Sequence, residues 1–162
     1  MPHLHLSIQS GDDMILKRMK RRHNSKDVFQ FVDRCKKIRK DISFGADIIA
    51  GFPTETDTMF ENTYKLLRDN EISHLHIFPF SPKNNTPASR MPQVSKSIIK
   101  KRAQILRDLG KLILKKVKSK LLLPREILIE ELNSGLAIGY DQNYIKHKVP
   151  LVGVPVGEVI RV

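Results

Sequence analysis

Four of the six histidines fall in two His-x-His pairs, His3–His5 and His74–His76. Alternate residues of a strand share a face, so each pair would present two imidazoles side by side. Two imidazoles on one face are a metal-ligand pattern. In parallel α/β barrels, however, chemistry gathers at the C-terminal ends of the strands. Both pairs precede several further strand-like residues and so sit toward the N-terminal ends. Packing inside a barrel is expected of them, and metal ligation is not.

The strand ends offer a different chemistry. Gln9-Ser10-Gly11 carries an amide and a hydroxyl, suited to a sugar or an amino-acid group. Ala50-Gly51-Phe52-Pro53-Thr54-Glu55 has a glycine turn where backbone can approach a ligand closely. Phe78-Pro79-Phe80-Ser81-Pro82 offers two aromatic faces. Together these suit a small-molecule site, and no Ser–His–Asp or Cys–His arrangement is legible. Cys35 is the single cysteine. It lies on an apolar helical stripe and reads as a core thiol. One cysteine forms no internal disulfide and suits a reducing cytoplasm.

These ends need a scaffold in which strands alternate with helices. Residues 3–9 read as a strand and residues 14–20 as a short helix. Ser25 can cap a second helix, with Val28, Phe31, Val32, Cys35 and Ile38 on one face. Residues 41–50 read as the next strand. Thr56 can cap the helix that follows, with Phe60, Tyr64 and Leu67 on its buried stripe. Residues 74–80 make a third strand. Such alternation predicts βαβ units and a parallel sheet. Residues 94–120 predict a long amphipathic helix with Ile99, Ala103, Leu106, Ile113 and Val117 on its apolar stripe, stopped by Leu123-Pro124. Beyond it, Ile127-Leu128-Ile129, Ala137-Ile138, Tyr144-Ile145 and Val159-Ile160 predict short strands of a small β-barrel or sandwich. The expected units are therefore residues 1–120 and 121–162. A whole (β/α) barrel takes about 250 residues, so the first unit is expected to be part of one, truncated on its N-terminal side. The apolar runs are too short for a transmembrane helix, and no membrane partner is expected.

The formal charge is +12 at pH 7, and it is concentrated. Residues 94–120 carry 10 Lys/Arg against 1 Asp/Glu, and residues 1–41 carry 11 against 5. Such a field attracts polyanions, nucleic acid first. The residues expected to grip RNA are Lys100, Lys101, Arg107, Lys111, Lys115, Lys116 and Lys118, with Tyr140 and Tyr144 as exposed rings on which bases stack.

Three segments carry a resemblance. HLHLSIQSGDDMILKRMKRRH, FGADIIAGFPTETDTMFENT and HLHIFPFSPKNNTPASRMPQV resemble, in order and spacing, three motifs of the radical S-adenosylmethionine (SAM) methylthiotransferases. The wording of the first two is most similar to the branch that modifies threonylcarbamoyladenosine in tRNA. The resemblance implies an α/β fold: the C-terminal portion of a partial (β/α) barrel, then a small β-barrel of the TRAM type. It also implies a cytoplasmic enzyme that methylthiolates C2 of N6-threonylcarbamoyladenosine, with SAM and two 4Fe-4S clusters as cofactors. One of those clusters is bound by a CxxxCxxC motif. No such motif is present, and a lone cysteine cannot hold a cluster. A cluster-binding N-terminal half, separate or missing, is therefore implied as a partner beside tRNA. These residues alone are expected to form no cluster and to cleave no SAM.

The resemblance places Gln9 and Ser10 toward the ribose and methionine groups of SAM, and Arg21 against its carboxylate. It places Ile49, Gly51 and Phe52 against the adenine, with Phe78 and Phe80 at the next strand end. Asp47 is expected to hydrogen-bond inside the barrel. Two positions depart from the family loop: Lys83 stands for an arginine, and Asn85 for a glycine whose left-handed backbone Asn tolerates. Three other readings compete: a non-catalytic RNA-binding remnant, the branch that methylthiolates a ribosomal protein, and a metal-dependent barrel hydrolase.

Overall fold

The computed structural model describes residues 1–121, 125–150 and 153–161. The Leu123-Pro124 helix stop lies outside them. A three-stranded parallel sheet is formed by β1 (His3–Gln9), β2 (Ser43–Ala50) and β3 (His74–Pro79), in that order. Helices α1 (Asp13–Arg18) and α2 (Ser25–Ile38) join β1 to β2, and α3 (Asp57–Asp69) joins β2 to β3. A 3₁₀ turn (Pro87–Arg90) leads into α4 (Lys96–Lys120).

The strand period of two divides the side chains between the faces of this sheet. Ile8, Phe44, Ala46, Ile48, Ala50 and Ile77 join one core with Val28 and Val32 of α2, Leu66 and Leu67 of α3, and Ala103, Leu106, Leu109 and Ile113 of α4. The alternate residues, among them His5, Asp47, Ile49, His76 and Phe78, take the opposite face. There His5, His76 and Phe78 are exposed. Helix α4 runs antiparallel to the strands: Ile99 packs on Gly51 beyond the end of β2, Gly110 packs on Leu75 in β3, and Lys116 and Lys120 reach Glu71 before β3.

Local chemistry corrects some expected details. Asn24, not Ser25, caps α2; its side chain accepts from the Asp27 N–H while Asp27 accepts from the Asn24 N–H, a capping box. On α2, Val28 and Val32 are buried and Cys35 is half-buried, but Phe31 and Ile38 are exposed. The apolar stripe is therefore narrower than the periodicity predicts. Thr56 caps α3 as expected. Asn85 has φ +65°, the left-handed backbone expected of it.

The second unit is a four-stranded antiparallel sheet, ordered β6-β5-β4-β7, of β4 (Glu126–Asn133), β5 (Leu136–Asp141), β6 (Lys146–Pro150) and β7 (Val159–Arg161). Ile127, Ile129 and Ala137 are its buried centre. Tyr144-Ile145, expected in a strand, lies in the turn between β5 and β6, with Tyr144 at φ +59°. That turn docks on the N-terminal edge of the parallel sheet. The Asn143 amide donates to the carbonyls of Pro2 (3.0 Å) and Asp41 (2.8 Å), and Ser43 Oγ donates to the Asn143 carbonyl (3.2 Å). No helix among the described residues is long and apolar enough to cross a membrane.

Candidate functional site

The C-terminal ends of the strands carry three loops, and each has a non-glycine residue at positive φ, Asn85 in the third. Gln9 and Thr54 both adopt φ +68°, unusual for residues with a side chain. Gly51 follows β2 at φ +75°. A Cβ there would also strike Ile99, so glycine is required twice over.

A buried carboxylate holds the Gly51 loop. Glu55 Oε2 accepts from the Gly51 N–H at 3.1 Å and from Arg102 Nη1 at 2.7 Å. Arg102 Nη1 also donates to the Glu55 carbonyl (3.0 Å), and Nη2 to Asp57 (2.6 Å). The Arg102 guanidinium lies 5.4 Å from the Phe60 ring centroid. Glu55 and Arg102 are both nearly inaccessible to water. Burial pushes the Glu55 carboxyl above its usual range, against the opposing pull of Arg102. From the other side, Arg18 Nη1 donates to Thr54 Oγ1 at 2.6 Å. The sequence reading missed Arg102 and Arg18. The signal for Arg102 was a lone guanidinium interrupting the apolar stripe between Ile99 and Ala103.

The expected cofactor residues divide into two groups. Ile49 and Phe78 lie directly opposite each other in the β2–β3 ladder, and Phe80 packs edge-on against Phe52 at 5.3 Å. Together they form an apolar shelf on the open face, suited to a flat base. Ser10 and the Gly51 N–H already have partners within the chain. Ser10 is buried; its hydroxyl accepts from the Asp12 N–H at 3.2 Å and meets Thr63 Oγ1 at 3.2 Å, tying β1 to α3. The Gly51 N–H serves Glu55. Gln9 is buried at the end of β1, and Arg21 stands exposed in the segment between α1 and α2. The shelf is chemically suited to a flat apolar ring, and Arg21 is the exposed cation of the expected set. The residues present do not fit a four-iron cluster, because Cys35 is the one thiol and packs against the helix-side core.

Lower on the open face, Asp47 sits between His5 and His76. His5 Nε2 lies 3.0 Å and His76 Nδ1 3.4 Å from the same oxygen, Asp47 Oδ1. His3 and His74 form a separate layer beneath. His3 Nδ1 meets Ser43 Oγ (2.8 Å), and His74 meets Ser73 Oγ (2.9 Å) and the Tyr144 carbonyl (3.0 Å). Burial first, then the neighbouring His74 and His5, lowers the His3 pKa to about 4, so this imidazole is neutral at pH 7.

Arg102 apart, the basic residues of α4 are exposed, but they are not equivalent. Lys100, Arg107, Lys111 and Lys118 fall on one face at helical spacing, with Lys101 and Lys115 beside them. Lys116 turns away to pair with Glu71 at 2.9 Å, beside Lys120 at 2.6 Å. Burial would raise the Glu71 carboxyl, but the hydrogen bonds from Lys120 and Lys116 outweigh it and hold the pKa at about 2. Tyr144 is exposed, but Tyr140 is half-buried and has Lys146 Nζ 5.9 Å from its ring centroid.

Residues 1–67 match the model of the Radical SAM superfamily. The threonylcarbamoyladenosine tRNA methylthiotransferase of Rickettsia prowazekii is 62% identical over 110 residues, covering 68% of this chain and 26% of that protein. Its namesake from Thermotoga maritima is 42% identical over 160 residues, covering 97% and 36%. The chain belongs to the radical SAM methylthiotransferase family. A tRNA-2-methylthio-N(6)-dimethylallyladenosine synthase from Ehrlichia chaffeensis, of the same family, is 40% identical over 110 residues. The higher identity of the Rickettsia protein over an equal length supports the threonylcarbamoyladenosine branch. The chain spans about a quarter to just over a third of the curated relatives it matches.

Proposed function

We propose that these residues form the C-terminal part of a tRNA methylthiotransferase. In this reading they supply the adenine shelf of the SAM site and a basic helix for RNA, and the enzyme methylthiolates C2 of N6-threonylcarbamoyladenosine. The observation that carries the reading is the open face of the parallel sheet. It bears an apolar shelf of Ile49, Phe78 and Phe80 at its catalytic end, and Phe78 is half exposed to solvent. A cluster-binding half that brings further strands would cover this face and close a barrel around the cofactor. SAM, once bound beside a cluster, supplies the radical that starts the reaction; the chain's own residues shape the base pocket and hold the Gly51 loop rigid. The β-sheet unit would serve as the TRAM-like RNA-facing domain.

The lysine face makes a measurable demand. Binding of tRNA by the chain should weaken steeply with salt, because each phosphate contact releases counterions. Replacing Lys100, Lys111 and Lys118 together by glutamate should flatten the plot of log K against log salt by about 2–3 units of slope. Filter binding across a salt series checks this. Salt-independent binding, or an unchanged slope in the triple variant, would remove α4 from the RNA interface.

A further inference from the structure

The His5–Asp47–His76 cluster is not used by the proposed function, and its geometry is that of a ligand set. Its three side chains come from three adjacent strands and converge on one face. One donor atom from each lies within 4.8 Å of the other two. Both imidazoles address a single carboxylate oxygen, at 3.0 and 3.4 Å. In a tetrahedral site with metal–ligand bonds of about 2.0–2.1 Å, the donor-to-donor edges run about 3.3 Å. Two of the three edges therefore already have the right length. The third, between the exposed imidazoles of His5 and His76, is no longer than 4.8 Å and closes by rotation of those rings.

The surroundings separate this layer from the histidines beneath it. His3 and His74 have hydroxyl or carbonyl partners, whereas among the described residues the ring nitrogens of His5 and His76 have Asp47 alone as a polar partner, their rings 4.9 Å apart. Gly45 makes the room. A Cβ there would lie 2.7 Å from His5 Nδ1, so any larger residue would push the imidazole off its position. In this chain by itself Asp47 is about one-third exposed and His76 about two-thirds, so an ion added to the chain can enter from solvent and keep water as a further ligand. Two residues further along the same strands stand Ile49 and Phe78, about 7 Å away. The site thus lies directly below the apolar shelf.

We propose that His5, Asp47 and His76 bind a divalent first-row transition ion, as two imidazoles and one carboxylate with open positions. This inference is independent of the methylthiotransferase reading. The expectation of plain packing for the two His-x-His pairs considered each strand alone. The set forms across strands, taking one histidine from each pair and Asp47 from between them.

The test uses the 162-residue chain, stripped with chelator and titrated with Zn²⁺ alone or Co²⁺ alone. One equivalent of Zn²⁺ is expected by calorimetry, and Co²⁺ should give visible ligand-field bands. Asp47→Asn, which keeps the shape, and His5→Ala should each weaken binding more than about tenfold. His3→Ala should leave binding unchanged. Circular dichroism checks that each variant is folded, and paramagnetic broadening of the His5 and His76 imidazole NMR signals by Co²⁺ locates the ion without any variant. No stoichiometric uptake would overturn the proposal. So would uptake that survives Asp47→Asn, or uptake that His3→Ala abolishes.

Discussion

Arg102→Leu is expected to destabilise the parallel-sheet unit by about 3–5 kcal/mol, because it strands the buried Glu55 carboxylate. Arg102 makes the short bond to Glu55 Oε2, and that oxygen in turn holds the Gly51 N–H. The Asp57 contact adds little, since that carboxylate is fully exposed. Urea unfolding followed by circular dichroism measures the loss. A second variant separates the ion pair from its packing. Arg102→Met combined with Glu55→Leu removes both charges and should recover most of the loss, because an apolar pair of similar volume carries no desolvation penalty. A single variant costing less than about 1 kcal/mol would mean that water reaches Glu55 and that the clamp is not closed. Through Glu55, Arg102 holds the Gly51 loop.

Asp141→Ala should unfold the antiparallel sheet, with a comparable loss of about 3–5 kcal/mol. Asp141 is buried at the end of β5 and gathers four donors. Arg125 Nη1 lies at 2.6 Å, His147 Nε2 at 2.9 Å, the Asn143 N–H at 2.8 Å and the Ile145 N–H at 3.0 Å. The truncation leaves the Arg125 guanidinium buried with, among the described residues, only the Lys118 and Leu121 carbonyls for partners. It also releases the turn that places Asn143 on Pro2 and Asp41, so the docking of the two units should loosen with it. The same carboxylate sets an acid limit. Burial alone would raise its pKa, but the hydrogen bonds from His147, the Ile145 N–H and Arg125 outweigh that and hold it below the ordinary 3.8. A depressed carboxylate stabilises the fold at pH values above its unfolded pKa, and that contribution fades as pH falls through the folded value. The antiparallel sheet should therefore weaken below about pH 4. Amide hydrogen exchange on β4 and β5 measures both effects, and wild-type protection in Asp141→Ala would refute them.

The strand–helix order was legible because the apolar residues of β1, β2 and β3 repeat at period two and those of α3 and α4 near 3.6. The shelf of Ile49, Phe78 and Phe80 was legible because loops at strand ends carry a recognisable motif. What stayed hidden depends on pairing across the fold. No local pattern reveals that the Ser10 hydroxyl meets Thr63, 53 residues away, or that Lys116 turns to Glu71 while Lys115 does not. Nor does a single strand show that Asp47 falls between histidines of its two neighbours. The Glu55–Arg102 clamp spans 47 residues and joins a loop to a helix. Its one local trace was a charge at a position that the helix buries.

The reading as a tRNA-modifying half-barrel is tested most directly in the nucleosides of tRNA. In cells that encode this chain, the coding segment for residues 1–162 is deleted and total tRNA is digested and analysed by mass spectrometry. 2-Methylthio-N6-threonylcarbamoyladenosine is expected to disappear and N6-threonylcarbamoyladenosine to rise in its place. An unchanged level of the methylthiolated nucleoside would contradict that reading.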